Sequence, residues 1–293
     1  MSKISCSFVI AAAALVSAAP AYATKKDEGC DLKINQNGEP KINGYDALSG
    51  GDYVEDIRIK LKNEGDATCS GVLTITRTGS FSRLDGPQSG NFLDYLIVAE
   101  DNASHVLLDP VTQQTQGIPF SVTAGHTLEL TPRLYVRGGQ PGRQGRYFAE
   151  LLAVANLGNQ DSVDQNFTVS AQVQSRVQAN FVGGRNALLN LGELAPNVSG
   201  SIAMQIRSTA DIDVSVDSEN EGTLNKVFGN FEIPYTMTVD GRAIDLENGT
   251  RFKVEVLNSI RGQSLPVVVT VGQFNNAPIG IYGDVVTFRI SAR

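Results

Sequence analysis

The feature that most constrains this chain is the spacing of its apolar residues. Beyond the first 23 residues, apolar and polar side chains alternate with a period of two in several segments, and helical periodicity is almost absent. The alternation is clear at 57–62 and at 267–272, and 285–290 is a nearly continuous β-branched run of the kind found in sandwich cores. Turn signals such as Asp85-Gly86-Pro87 and Asp240-Gly241 separate these runs. The pattern predicts an all-β fold built from immunoglobulin-like β-sandwiches.

A weak internal repeat indicates two copies of one domain. The stretch Gly145–Leu151 is repeated at Gly280–Val286, and each copy follows a strand-like run and a loop that contains glycine and proline. A chain of 293 residues is also long enough for about two domains. We therefore predict an N-terminal domain at residues 24–177 and a C-terminal domain at residues 178–293.

The segment 166–177, which joins the two copies, has the pattern of a strand and not of a flexible linker. Its apolar side chains alternate with polar ones and share one face: Phe167, Val169, Ala171 and Val173. The first copy is thus followed by an extra strand. The second copy ends at Arg293, directly after its last strand, so we expect the C-terminal domain to lack that extra strand.

The N-terminus has the features of a secretory signal peptide at residues 1–23. Lys3 precedes a short apolar core, Phe8–Val16, and Ala21-Tyr22-Ala23 matches a cleavage site between small residues. The core is too short to span a bilayer, so we expect export and not anchoring. The net charge of −7 argues against binding to nucleic acid or to anionic lipid.

Two cysteines remain once Cys6 is removed with the signal peptide. Cys30 and Cys69 form an even pair in an exported chain, which favours a disulfide over two separate buried thiols. In the chain-entropy model, a disulfide that closes a loop of this length contributes roughly 4 kcal/mol.

No pattern in the sequence indicates catalysis, a cofactor or a metal site. The two histidines, His105 and His126, stand in unrelated strand contexts, and surface or turn positions explain them better than a metal site does. The sequence has no Gly-x-Ser-x-Gly elbow and no P-loop. The glycine-rich stretch Gly138–Gly145 lies between strands with no helix after it, which favours a hairpin loop. We therefore expect a protein that is not an enzyme.

Both halves resemble a known family of pilus domains. The resemblance is carried by the order of these stretches: Leu130–Val136 with Tyr147 and the two cysteines in the first half, then Leu188–Leu194, Arg207-Ser208, Ser218–Leu224, Ile233–Gly241 and Gly280–Asp284. They are similar to the spore-coat-protein-U-like pilin domain, and the whole chain resembles a two-domain tip subunit of archaic (Csu-type) chaperone–usher pili. Where that family often has a cysteine, the second half has Arg176, so we expect the C-terminal domain to be the less stable one.

The resemblance implies two pilin-like sandwiches, each lacking its last strand and completed by donor-strand exchange. Residues 166–177 would complete the N-terminal domain in cis, while the C-terminal domain would accept a strand from another subunit. Residues 24–29 are too charged to act as an apolar donor, which implies a place at the distal end of a fibre. The implied partners are a periplasmic chaperone, an outer-membrane usher, an adjacent pilin subunit and an unknown surface or host ligand. The implied location is the cell surface.

Two long loops of the N-terminal domain are candidates for attachment. The first, 80–92, carries Phe81, Leu84 and Phe92, and the second, 111–122, carries Ile118, Pro119 and Phe120. The candidate attachment residues are Phe81, Leu84, Ile118 and Phe120. The alternative is that Phe81, Phe92 and Phe120 are core residues at strand ends. Two other functions stay open at this point. One is a free-standing secreted carbohydrate-binding β-sandwich, against which the absence of tryptophan counts, and the other is a secreted hydrolase, which needs a polar triad or a metal cluster.

Overall fold

The computed structural model describes residues 29–79, 82–100, 104–158, 161–182, 184–256 and 260–293. The predicted signal peptide and the predicted loop residue Phe81 lie outside the described residues. Within the described ranges the chain forms strands and no helix, which confirms the predicted all-β class. Accordingly, these ranges hold no helix that could cross a membrane.

The first half of the described chain forms three sheets. Its strands are β1 (Leu32–Gln36), β2 (Lys41–Tyr45), β3 (Tyr53–Asp56), β4 (Ile59–Asn63), β5 (Cys69–Arg77), β6 (Leu84–Asp85), β7 (Phe92–Leu93), β8 (Leu96–Val98), β9 (Val106–Asp109), β10 (Gln114–Thr115), β11 (Ile118–Val122), β12 (Thr127–Leu130), β13 (Arg133–Val136), β14 (Gly145–Asn156) and β15 (Val163–Val173). The strand orders are β1-β4-β12, β10-β9-β8-β13-β3 and β11-β5-β14-β15-β2, with β6 added to β14 and β7 to β6.

The second half of the described chain forms two sheets. Its strands are β16 (Val177–Phe181), β17 (Ser199–Ser208), β18 (Ile212–Ser218), β19 (Thr223–Lys226), β20 (Glu232–Val239), β21 (Arg242–Ile244), β22 (Thr250–Val254), β23 (Gln263–Val271), β24 (Tyr282–Gly283) and β25 (Val286–Ala292). The strand orders are β16-β17-β23-β20-β19-β24 and β22-β18-β25, with β21 added to β20.

Period-two alternation in the sequence gives each half its own apolar core. In β4, Ile59 and Leu61 are fully buried, whereas Lys60 and Lys62 between them are exposed, because successive strand residues point to opposite faces of a sheet. The buried residues of strands β1 to β15 form one cluster, and those of β17 to β23 form a second cluster. The structure thus contains two separate cores, one in each half.

The two halves follow one strand plan. The strand β1 pairs with β4 as β16 pairs with β17, and β5 lies between β11 and β14 as β18 lies between β22 and β25. The register that aligns Gly145 with Gly280 also aligns β12 and β13 with β23, and it aligns β14 with β25. This alignment, called the repeat register below, allows the two halves to be compared residue by residue.

The strand between the halves differs from the predicted 166–177 at both ends. It begins earlier, at Val163, because it pairs with the full length of β14 in a hairpin, and it ends at Val173. Val177, predicted to close the N-terminal domain, instead opens β16 and pairs with Ser208 of the second half. The chain crosses between the two cores at 174–176.

A disulfide joins Cys30 to Cys69 in the first half. Cys69 opens β5 and is fully buried. The sequence has no cysteine after Cys69, so the second half has no disulfide of its own. The two halves therefore share a strand plan but not this covalent link.

Candidate functional site

The strand β15 lies inside its sheet, between two other strands. It pairs antiparallel with β14 along its whole length, from Val163 opposite Ala155 to Val173 opposite Gly145. Its other edge pairs in parallel with β2, where Ala171 lies opposite Ile42. Because both of its edges are paired, β15 fills the sheet between β14 and β2.

The apolar face of β15 is part of the first core. The exposed fractions of the four predicted side chains are small: Phe167 7%, Val169 0%, Ala171 0% and Val173 1%. Each belongs to the apolar cluster of the first half. The strand that follows the first copy in the sequence is therefore packed as tightly as the strands within that copy.

The second half repeats this sheet only as far as β25. The order β22-β18-β25 corresponds to β11-β5-β14, and then it stops. Among the described residues, β25 pairs with β18 alone, so its other edge has no strand beside it. No described strand of the second half corresponds to β15 or to β2.

The open edge changes the burial of the side chains that point inward from β25. In β14, Leu151, Ala153 and Ala155 are all 0% exposed beneath β15. The repeat register aligns them with Val286, Phe288 and Ile290 of β25, and these larger side chains are only half-buried although they pack against the second core. Three neighbouring apolar side chains of this size are normally buried together. Their partial exposure indicates that no described strand packs over them as β15 packs over β14.

The strand β16 packs against β25 on the second core. The rings of Phe181 in β16 and Phe288 in β25 meet edge to face, with centroids 5.7 Å apart. The segment 188–191 follows β16 as β2 follows β1, but it forms no strand, and its Leu188 is 89% exposed. We use the name acceptor groove for the β25 edge that no described strand pairs with, together with the half-buried side chains beside it: Phe181, Val286, Phe288 and Ile290.

Asp284 fixes the start of β25 through its carboxylate. One oxygen accepts hydrogen bonds from the Ser218 hydroxyl at 2.6 Å and the Tyr235 hydroxyl at 2.5 Å, and the other accepts the Asn220 backbone N–H at 3.0 Å. Burial, followed by the hydrogen bond to Asp284, raises the pKa of Tyr235 above its ordinary value, so the tyrosine stays a donor. The motif Gly280–Asp284 includes this residue, but its pattern alone does not indicate what the carboxylate does.

The other end of β25 lies at the contact between the two halves. Arg143 donates to the Asp211 carboxylate at 2.7 Å and to the Val256 carbonyl at 3.0 Å. Gln144 donates its backbone N–H to the Thr209 carbonyl and its side-chain amide to the Arg293 carbonyl, both at 2.7 Å. The groove therefore runs along β25 from this contact, called the junction below, to the far end of the second half.

The chain crosses the junction in a fixed path. The Thr209 hydroxyl donates to the Gln174 carbonyl at 2.7 Å and accepts the Arg176 backbone N–H at 2.8 Å. The Arg176 guanidinium also lies 3.6 Å from the Asp46 carboxylate of the first half. These contacts explain why β15 ends at Val173 and why β16 does not simply continue it.

Three of the predicted attachment residues are not at exposed loop tips, and this part of the prediction is corrected. Leu84 is fully buried in β6, where it pairs with Leu93. Phe120 is 6% exposed in β11, and Ile118 in the same strand is half-buried and packs on the first core. Strand pairing turns these side chains inward. For Phe120 this agrees with the alternative that it is a core residue at a strand end. Phe81 lies outside the described residues.

Among the described residues of the first of these loops, Phe92 is the exposed large apolar one. It is 38% exposed, and the Arg83 guanidinium lies 3.8 Å from the centre of its ring. This loop is not at the distal end, because Asp85 pairs with Phe148 in the part of β14 that is nearer to the junction. The end of the first half opposite the junction instead carries the Cys30–Cys69 disulfide.

The described residues contain no group of three or more His, Cys, Asp or Glu side chains that could hold a metal ion. His105 and His126 are both exposed, and His126 contacts the Ala124 carbonyl through Nδ1 at 2.9 Å. The structure does not bring the two histidines together as a site.

No family model matches the sequence, and no curated protein gives a significant match. Solved structures of adhesins are similar over most of the chain. The CsuC–CsuE chaperone–tip adhesion subunit pre-assembly complex from archaic chaperone–usher Csu pili of Acinetobacter baumannii matches at 12% identity and a TM-score of 0.44, covering 89% of this chain and 100% of the other. The CupB6 tip adhesin of Pseudomonas aeruginosa matches at 9% identity and 0.42, covering 90% and 94%. CfaE, the adhesive subunit of CFA/I fimbria of enterotoxigenic Escherichia coli, matches at 9% identity and 0.42, covering 88% and 94%.

Proposed function

We propose that this chain is a tip adhesin of a chaperone–usher surface pilus, that it joins the fibre by donor-strand exchange, and that it mediates attachment or biofilm formation. The observation that carries the proposal is the difference between two equivalent sheets. The first sheet is closed by β15 from the same chain, and the second ends at the unpaired edge of β25. In this proposal the protein binds and has no catalytic activity.

The acceptor groove needs an occupant. An unpaired strand edge presents backbone N–H and C=O groups that can pair with another chain, and half-buried apolar side chains beside it add to the risk of aggregation. A strand that enters the groove would satisfy the backbone groups and bury Val286, Phe288 and Ile290. This supports a periplasmic chaperone as the occupant before assembly and an adjacent pilin subunit as the occupant in the fibre, after passage through an outer-membrane usher.

The strand β15 indicates how much such an occupant contributes. Phe167, Val169 and Val173 are nearly or fully buried, and burying a side chain of this type contributes about 1.5–3 kcal/mol. Main-chain hydrogen bonds to the sheet edge add to this, while the lost conformational entropy of the strand opposes it. A donor of similar composition would therefore stabilise the second domain by several kcal/mol on the same physical basis.

The proposal also assigns a direction to the chain. In the described part of the first domain, β14 is paired on both edges, by β5 and by the cis strand β15. A fibre would therefore attach at the second domain, and the first domain would face outward toward an unknown surface or host ligand. This supports the N-terminal domain as the adhesive one.

A cis fusion tests the proposal. A copy of residues 157–173, which includes the hairpin turn and β15, is added after Arg293, so that it can fold back onto β25 as β15 folds onto β14. We expect the unfolding transition of the second domain to move to a higher denaturant concentration, because the groove is filled. In a separate experiment with cells that make the chain without the fused strand, fibre-end labelling with an antibody against the first domain should mark tips and not shafts.

The matched control carries serine in place of the four apolar residues of the fused strand only. It has the same length and the same turn but no apolar face. If both fusions leave the second domain unchanged, the sandwich is already complete, and a free-standing carbohydrate-binding protein becomes the better account.

A further inference from the structure

The second half carries an exposed apolar surface that the acceptor groove does not include. Val227 is 57% exposed, Phe228 87%, Ile279 102% and Ile281 76%. In the first half, no described large apolar side chain is more than 49% exposed. We call these four residues the basal patch.

The basal patch is held together by its own contacts. The Val227 backbone N–H donates to the Ile281 carbonyl at 2.9 Å, which brings the two segments side by side. The Tyr282 hydroxyl donates to the Pro278 carbonyl at 2.7 Å and closes the short loop that displays Ile279 and Ile281. The Tyr282 ring also packs edge to face on Phe231 at 6.2 Å. These backbone and ring contacts hold the two segments that carry the patch against each other and against the second core.

The patch lies at the end of the second half that is farthest from the first half. The strand β25 begins at Val286, shortly after Ile281, and it ends at Ala292, next to the junction contact of Arg293 with Gln144. A strand of this length spans about 20 Å. The patch and the junction are thus at opposite ends of the acceptor groove.

The repeat register gives the patch an equivalent in the first half. Arg143 and Gln144 align with Pro278 and Ile279. In the first half, these two positions contact the next domain along the chain, through Asp211, Thr209 and Arg293. The same positions in the second half have no partner domain among the described residues, and Ile279 is fully exposed there.

The direction of the closing strand leads to the same place. The strand β15 runs antiparallel to β14 and leaves the sheet beside Gly145, where its own downstream domain begins. A donor that runs antiparallel to β25 would leave the groove beside Val286, on the side of the basal patch. The folded part of the donor subunit would then follow immediately, as β16 follows β15 after three residues, Gln174 to Arg176.

We infer that the basal patch is the docking surface for the folded body of the pilin subunit whose strand fills the acceptor groove. This rests on the proposed function and adds a second contact to it, separate from the strand. The occupant presents an apolar face beside the root of its donor strand, whereas the junction within this chain is built from an ion pair and hydrogen bonds. The strand gives attachment, and the patch fixes the angle between tip and fibre.

The test uses the full chain in cells that assemble the fibre. The patch variant is F228S with I279S, and the control variant is V54S with V111S, which removes two exposed apolar side chains of the first half. Fibres are sheared from the cells and treated with a urea series, and the fraction of the chain that remains on the fibres is measured. We expect the patch variant to be released about tenfold more readily than the control, since two apolar side chains lose their contact.

Two further measurements separate the possible outcomes. The patch variant should reach the same periplasmic level as the control and should gain the same stability from the fused strand, which shows that folding and the groove are intact. Release equal to that of the control overturns the inference. So does a loss that occurs already in the periplasm, because the patch would then serve the chaperone or folding. If the unsubstituted chain never sediments with fibres, the proposed function itself is wrong.

Discussion

At the scale of single residues, the two domains differ most in the side chains that β15 buries in the first domain. Ala153 of β14 is fully buried beneath β15, whereas Phe288, its equivalent in the second half, is only half-buried. The sequence predicted the four inward residues of β15, since strict alternation leaves one choice of face. It could not distinguish Leu84 and Phe120 from loop residues, because short strands formed by distant pairing carry little local signal.

Truncating Val169 tests the packing of β15. We expect V169A to lower the free energy of unfolding of the first domain by about 2–3 kcal/mol, because a fully buried side chain leaves a cavity. The exposed Asn166 in the same strand is the control, and N166A should change it by less than about 0.5 kcal/mol. Denaturant titrations of the full chain measure both, and equal effects of the two variants would mean that β15 is not packed.

The phenol of Tyr45 predicts a response to alkaline pH. Tyr45 pairs with Val173 of β15, and its hydroxyl donates to the Arg137 carbonyl at 2.8 Å. Burial raises its pKa from 10.0 to about 12. The unfolded chain therefore loses this proton at a lower pH than the folded chain. Its contribution to stability is full below about pH 10 and is lost as the pH rises toward about 12.

The variant Y45F removes this titration. At neutral pH it should cost about 0.5–1.5 kcal/mol for the lost hydrogen bond. Between about pH 10 and pH 12, the first domain of Y45F should lose less stability than that of the unsubstituted chain, although Tyr95 and Tyr147, whose pKa values burial also raises, still contribute. Equal losses in the two proteins, measured by denaturant titration at a series of pH values, would contradict the role of Tyr45.

At the scale of elements, the existence of β15 follows from the sequence, but its ends do not. The apolar alternation is interrupted at Ser175 and resumes at Val177, and only the tertiary contacts of Thr209 and Asp46 with the crossing segment show that one strand stops and the next begins there. The start at Val163 depends on the length of β14, which pairs with β15 in a hairpin and with the distant strand β5 along its other edge. Among the described residues no strand pairs with the outer edge of β25, as expected from the asymmetry between the two copies, and the proposed function depends on this feature.

The Cys30–Cys69 disulfide is present in the first domain and not in the second, and the effect of removing it on the stability of each domain can be measured directly. The bond joins residues separated by 39 positions, and the loop that it closes contributes about 4 kcal/mol in the chain-entropy model. We expect C30A with C69A to lower the stability of the first domain by about that amount and to leave the transition of the second domain unchanged, since that domain has no cysteine. A shift of both transitions would show that the two domains unfold as one unit.

At the scale of the whole molecule, the two domains differ in completeness. The first has its closing strand and a disulfide, while the second has an open edge and an exposed basal patch at its far end. The repeat in the sequence was sufficient to predict two sandwiches. The basal patch was not predicted, because an exposed Ile279 and a buried Ile in the same loop have the same sequence signal. Only the fold shows that this position corresponds to the junction of the first half.

Backbone hydrogen exchange of β14 and β25, measured in the same sample, tests the central difference most directly. The repeat register aligns β14 with β25, so the two strands occupy equivalent positions in their domains. Hydrogen exchange reports whether each backbone amide is hydrogen-bonded. The account predicts slow exchange along the whole of β14 and fast exchange at the amides of β25 that do not face β18, with these amides becoming slow in the chain that carries the fused strand. Amides of β25 that are protected as strongly as those of β14 without any added strand would contradict it.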